Sequence, residues 1–499
     1  MGRAAQQRNR RQSFQPEDQS ARTWSGWRRL ACNALAIGVL AGAAASVAAQ
    51  ALPPELQKAW KATRLPDSSL SLEIREAGGP VISRINAGVP RNPASVMKTV
   101  TTWSALSTLG PDYVWRTQFL ANAGARVDDQ GTLQGPLYVK AAGDPWFTVQ
   151  DLWNVLRELR LRGIKNLSDV VVDRSLFGNV SIDPGEFDDS PDRPYNASPD
   201  AMMVGFGATR VLFQPDEKNR QWIPIIDPPT RNVRVEGRVD WEEGRCKPAT
   251  GFSVDARVQS GITTVRVAGK ATGSCGEFSI YRLAGSQADH FEALFRLLWQ
   301  ELGGTLGRGF QNGRVPAKTE VLAWHDSPVL ADVIRQINKH SNNVMARMTL
   351  LTLAADLNGP GATPESGDRA VQQVLTRQKI DLTGWVLDNG SGLSRQGRVT
   401  AQGLAQMLDV AWRSPLMPEF VSSLSIAGMD GTMRKRLRSA DTRGQAHMKT
   451  GTLKDSRALA GYVRGVSGKR YIVVSLVNHP GAAAVRPFDD EIVRWLANR

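Results

Sequence analysis

Ser95 and Lys98 stand three residues apart in Ser95-Val96-Met97-Lys98, and the chain holds two further polar triplets, Ser341-Asn342-Asn343 and Lys449-Thr450-Gly451. A serine hydroxyl is a poor nucleophile until a base removes its proton. No Gly-x-Ser-x-Gly elbow is present, and none of the five histidines is an obvious partner. Lys98 can be that base, since a spacing of three puts both side chains on one helical face. It must first lose its own proton. Desolvation and a nearby cation such as Lys449 would lower its pKa. A serine at a helix N-terminus also places backbone N–H groups near a developing oxyanion. Ser341 would relay a proton to the leaving amine, and Asn343 would bond both Lys98 and a substrate amide. Lys449, Thr450 and Thr452 would bind a terminal carboxylate. The chemistry is acyl transfer through a serine ester. Singly, each triplet has an ordinary reading: Ser95 as a helix cap, Lys449 as a solvated strand lysine, Ser341-Asn342-Asn343 as a polar helix start. All three in this order favour the catalytic one.

These groups need elements to hold them. A helical stretch over residues 55–61 precedes alternation at Leu70, Leu72 and Ile74, a turn at Gly78-Gly79-Pro80, and alternation over 81–85, which predicts an antiparallel hairpin. Asn92-Pro93-Ala94 should start the helix that carries Ser95, because proline fits a first turn. Between Lys98 and Ser341 lie 242 residues. Short strands punctuated by Gly and Pro are expected there at 137–140, 170–173, 233–239, 263–267 and 277–281, with helices at 149–162 and 288–302. From 327 the pattern turns helical, with Ser327 as N-cap and Pro328 in the first turn. A second helix over 344–357 puts Ser341-Asn342-Asn343 at a junction of two helices. Lys449-Thr450-Gly451-Thr452 should be a strand in which Gly451 lets the substrate backbone approach. A strand over 471–477, a loop over 480–487 and a helix over 489–498 close the chain.

At 499 residues the chain is too long for one core. Its formal charge is +14, of which residues 1–51 contribute +5 and the remainder +9. A basic exported protein would be drawn to anionic wall polymers or a membrane surface as a peripheral partner. The charge is scattered and accompanies no recognition motif, which argues against nucleic acid. Residues 1–51 read as a signal peptide: arginines up to Arg28-Arg29, an apolar small-residue run, and cleavage signals at Val47/Ala49 and Ala49/Ala51. A retained anchor is the alternative. The expected location is the periplasm. Cleavage leaves Cys246 and Cys275, an even pair in an oxidising compartment and a candidate disulfide; two separate thiols are the other reading. No Cys/His cluster has metal-ligand spacing, so neither a metal nor a cofactor is expected.

The order Ser-x-x-Lys, Ser-x-Asn, Lys-Thr-Gly resembles that of penicillin-binding proteins and serine β-lactamases. The long gap between the first two motifs resembles the D-alanyl-D-alanine carboxypeptidase/endopeptidase family, the peptidase S13 group of class C penicillin-binding proteins. Residues 140–145 with Gly143-Asp144-Pro145, 171–177, 194–206, 339–347, 388–395 (DNGSGLSR), 428–437 (GMDGTMRKRL) and 449–463 carry the same resemblance, from about residue 50 to the C-terminus. It implies an α/β fold of the α+β sandwich kind. A transpeptidase-like domain with an antiparallel sheet flanked by helices, residues 52–120 and 322–499, would be interrupted by a β-rich insertion over 121–321, with 229–287 as a separate lobe. Ser95 would be the acylated nucleophile, Lys98 the base, Ser341 and Asn343 the second motif, and Lys449 the carboxylate anchor. Backbone N–H groups of Ser95 and Thr452 would form the oxyanion hole. The implied substrates are D-Ala-D-Ala ends of peptidoglycan stem peptides and D-Ala-diaminopimelate cross-links, with β-lactams as acylating ligands. Asp144 would hold the diaminopimelate ammonium and Arg395 its carboxylate; a turn aspartate and a surface arginine are the plainer alternatives. His340, Trp146-Phe147 and Lys454 fit no assigned role. A β-lactamase and a non-catalytic wall-binding scaffold remain as rivals.

Overall fold

The computed structural model describes residues 51–499. The expected signal peptide lies outside the described residues apart from Ala51. Both ends of the described chain build one antiparallel six-stranded sheet, ordered Ser425–Ile426, Ala446–Thr452, Ser456–Arg464, Arg470–Asn478, Leu70–Glu76, Val81–Ile85. The period of two in a strand decides its layers. Leu459, Val463, Val473, Leu72 and Ile74 join a core with Trp60, Phe488 and Ile492 of the terminal helices Pro54–Ala62 and Arg486–Ala497. Ala458, Ala460, Tyr462, Val474 and Leu476 join the larger core on the opposite face, with Met97 and Val100 of the helix Met97–Leu109 and Leu404 of Ala401–Arg413. Met97–Leu109 and Asn343–Asn358 are buried almost all round, and their apolar residues show no one-sided stripe.

Between the two ends lie two more sheets. A five-stranded mixed sheet is ordered Thr305–Asn312, Asn166–Asp173, Leu137–Lys140, Arg116–Asn122, Thr319–Asp326. The boundaries expected at 120/121 and 321/322 therefore fall inside two paired strands. A seven-stranded sheet runs from Ala208–Asp216 to Phe278–Leu283 around its own small core of Val211, Phe213, Trp222 and Val265. It starts well before the expected residue 229. Cys246 and Cys275 are joined in this sheet's outer loops.

Two local expectations fail. The helix expected to start at Ser327 starts at Leu330, with Val329 as N-cap and no side-chain cap. The Ser327 hydroxyl is engaged elsewhere: it accepts from the Trp115 N–H at 3.0 Å and donates to the Pro328 carbonyl. The stretch 480–487 is not a plain loop, since a 3₁₀ turn, Ala482–Val485, leads directly into the last helix.

Candidate active site

Ser95 sits in a 3₁₀ turn, Ala94–Val96, that feeds the helix Met97–Leu109. Regular helix does not start at Pro93, because Ala94 lies in the left-handed region at φ +47. A non-glycine residue held there costs free energy and persists only where its surroundings fix it. The surroundings are visible. Asn92 accepts from the Ala94 N–H at 2.9 Å and donates to the Ser394 carbonyl at 2.8 Å. Asn478 accepts from the Asn92 N–H at 2.7 Å. Gly392, itself at φ +73, packs so tightly that a Cβ there would stand 1.8 Å from the Ala94 carbonyl oxygen. Gly451 does the same from the strand: a Cβ would stand 2.5 Å from the Pro93 carbonyl oxygen. The space at Gly451 is therefore filled by the protein's own nucleophile turn and not by substrate, contrary to the expectation from sequence.

Lys98 is fully buried. Its Nζ lies 3.0 Å from Ser95 Oγ and 2.6 Å from Asn343 Oδ1, and it donates to the Ser391 carbonyl. Burial, then the charges of Lys449 and Arg347, hold its pKa well below the usual lysine value. Lys449 is also fully buried; burial brings it down to about 7. Its Nζ donates to Ser341 Oγ at 3.0 Å and to the Thr450 carbonyl at 2.9 Å. Ser341 follows the helix Leu330–His340 in a left-handed conformation, φ +58, and Asn342 then caps the helix Asn343–Asn358 by accepting from the Met345 N–H at 3.0 Å. Among the described residues no acidic side chain forms an ion pair with Lys98 or Lys449. Thr450 donates its hydroxyl to Thr432 Oγ1 at 2.9 Å, and Thr452 is exposed at the strand's end.

The structure thus brings Ser95, Lys98, Ser341, Asn343 and Lys449 into one bonded cluster, with Thr450, Gly451 and Thr452 on its bordering strand. Asp144 does not join it. It is 3 % exposed, accepts from the Trp146 N–H at 2.8 Å and faces His325 Nε2 at 3.4 Å. Burial raises its pKa against the pull of His325. Arg395 is exposed; it donates to the Phe187 carbonyl at 3.2 Å and lies 4.5 Å over the Phe187 ring. His340 and Lys454 are exposed, His447 bonds the Val421 carbonyl, and Phe147 packs edge-on to His325.

Sequence reasoning missed three contributors. The Ser391 carbonyl completes the shell of Lys98. Arg347, buried and lowered to about 10, donates to the Ala197 carbonyl at 3.0 Å and the Tyr195 carbonyl at 3.3 Å. Asn343 Nδ2 lies 3.4 Å from that same Tyr195 carbonyl, so the stretch around Tyr195 borders the Lys98 partner Asn343. Ser391 and Arg347 stand in the segments 388–395 and 339–347 that carried the resemblance, which was the available signal.

Comparison with known proteins finds relatives over most of the chain. Residues 53–499 match the family model described as the D-Ala-D-Ala carboxypeptidase 3 (S13) family. A D-alanyl-D-alanine carboxypeptidase of an Actinomadura species is 28 % identical over 437 residues, covering 84 % of this chain and 80 % of the relative. The D-alanyl-D-alanine carboxypeptidase DacB of Haemophilus influenzae is 26 % identical over 407 residues, covering 80 % of this chain and 82 % of the relative. The crystal structure of penicillin binding protein 4 from Haemophilus influenzae superposes with a TM-score of 0.75 at 22 % identity, covering 89 % of this chain and 99 % of that one. The same protein complexed with a β-lactam gives 0.71.

Proposed function

Because the chain belongs to the D-Ala-D-Ala carboxypeptidase 3 (S13) family, we propose that it is a serine DD-peptidase whose acyl-enzyme forms on Ser95. The observation that carries this is the shell of Lys98: two carbonyl oxygens and one hydroxyl, with no carboxylate. A neutral amine has two N–H donors and one lone pair. The donors match Asn343 Oδ1 and the Ser391 carbonyl, and the lone pair is left for the Ser95 O–H. Ser95 then attacks the carbonyl carbon of the penultimate D-Ala as its proton passes to Lys98. The oxyanion is met by the backbone N–H groups of Ser95 and Thr452. Collapse breaks the peptide bond, and the proton that Lys98 took from Ser95 is relayed through Ser341, bonded to Lys449, to the departing amine, which leaves Lys98 neutral again. Lys98 next draws a proton from water, which hydrolyses the ester. Lys449, Thr450 and Thr452 hold the terminal carboxylate.

The family description and the relatives' names support D-Ala-D-Ala ends of peptidoglycan stem peptides as substrate; in the same reading the enzyme also cuts D-Ala-diaminopimelate cross-links. A penicillin presents the same acyl centre and carboxylate and acylates the same serine. Arg395 receives the carboxylate of the diaminopimelate end. Asp144, buried beside His325, is the group proposed for its ammonium. An enzyme of this substrate works in the periplasm, exported by residues 1–51, and its basic surface suits peripheral contact with wall or membrane. The rival β-lactamase differs in releasing hydrolysed penicillin fast. The non-catalytic scaffold has no need of a lysine buried beside a serine with its pKa lowered. The test is D-Ala release from a pentapeptide stem: the wild type releases it and Ser95→Ala does not. Equal release by both would overturn the reading.

A further inference from the structure

A second concave surface opens off the Lys449 strand. It is a groove of about 560 Å³ that shares Thr450, Gly451 and Thr452 with the active-site strand. Its walls carry Arg434, Lys435, Arg457 and Arg486, together with Arg436. Arg436 is neutralised by Asp490 at 2.6 Å. The other four form no ion pair within the described residues, and none donates a side-chain hydrogen bond there. The one acid in the groove, Asp489, is 4 % exposed, accepts from the Ser475 hydroxyl at 2.9 Å, and is pushed up to about 7 by burial. It does little to neutralise the walls. Four cations without ion-pair partners gathered in one hollow repel each other, and no side-chain hydrogen bond among the described residues uses them. Such a hollow focuses a positive potential and favours a ligand with several negative charges.

The groove's position says which part of a ligand reaches it. The hydroxyls of Thr450 and Thr452 are the anchors proposed for the carboxylate just beyond the scissile bond. Atoms attached beyond that carboxylate belong to the leaving group. A single D-Ala ends there and cannot enter the groove. A leaving group that is itself a peptide continues, and one from a cross-link bears further carboxylates. We propose that the groove of Arg434, Lys435, Arg457 and Arg486 is a leaving-side subsite for a second, carboxylate-bearing stem peptide, so that cross-linked substrates gain a contact that D-Ala-D-Ala ends lack. This rests on the DD-peptidase reading above.

The test uses the charge-reversed variant Arg434→Glu/Lys435→Glu/Arg486→Glu, whose three side chains are exposed. Three substrates are compared by kcat/KM: a pentapeptide stem, a cross-linked dimer with free carboxylates, and the same dimer with its leaving-side carboxylates amidated. We expect the free-carboxylate dimer to lose roughly tenfold in the variant, the summed effect of several exposed charge contacts. The pentapeptide, the amidated dimer and the rate of penicillin acylation should stay unchanged. Equal cleavage of both dimers by the wild type, a loss shared by all three substrates, or a wild type that cuts no dimer would each overturn the subsite. Absence of penicillin acylation in the wild type would instead remove the DD-peptidase reading, and the subsite with it.

Discussion

Two buried lysines with different duties share one site. Lys98 is lowered by burial, by Lys449 and by Arg347, whereas Lys449 is lowered by burial alone, to about 7. Lys98 therefore gives up its proton first, while Lys449 keeps its charge for a carboxylate. Acylation needs Lys98 neutral and Lys449 charged. The second-order rate of penicillin acylation should rise with pH as Lys98 deprotonates and fall as pH passes about 7 and Lys449 follows. Lys449→Ala should lower the rate and remove the falling limb. A wild-type profile flat across this range would contradict the division of roles. The residue types were legible in the sequence because this chemistry needs a serine, a base and an anion anchor. The setting of Asp144 was not legible because burial is a tertiary fact. Nothing in Gly143-Asp144-Pro145 says that His325, nearly two hundred residues on, faces it.

At the scale of elements, the nucleophile turn is held open by glycines on its neighbours. Ala94 keeps its left-handed φ where Asn92 bonds its N–H and the loop of Gly392 and the strand of Gly451 lie close against its two flanking peptides. Gly392→Ala brings a methyl into the Ala94 carbonyl at a left-handed position. The shift required is on the order of an ångström at the residue before Ser95, so we expect penicillin acylation to slow roughly a hundredfold. A rate within a factor of about two of wild type would show that the loop does not set the turn. Helices and hairpins along the chain were readable from their periods, as the strands Leu70–Glu76 and Val81–Ile85 illustrate. Ser327 was not. Its hydroxyl could cap a helix or bridge to Trp115, and only the packed chain decides between them.

At the scale of the molecule, the catalytic cluster and the cysteine pair belong to different sheets with different cores. The Cys246–Cys275 bridge closes a loop of sequence separation 29 and stabilises the seven-stranded sheet by about 3 kcal/mol on the chain-entropy account. Cys246→Ser/Cys275→Ser should speed amide exchange in the strands from Ala208–Asp216 to Phe278–Leu283 and leave penicillin acylation unchanged. A matching loss of acylation would tie the lobe to the active site. The β-rich character of the middle of the chain was visible in its Gly- and Pro-punctuated short strands. The pairing of Arg116–Asn122 with Thr319–Asp326 was not, since partners two hundred residues apart leave no local pattern.

The central claim is a serine acylated with Lys98 as base. Intact-protein mass spectrometry after mixing with benzylpenicillin tests it most directly, wild type beside Ser95→Ala, followed from minutes to hours. We expect one penicillin adduct on the wild type that persists through the series, and none on Ser95→Ala. An adduct that forms equally on both proteins, or on neither, would contradict the claim.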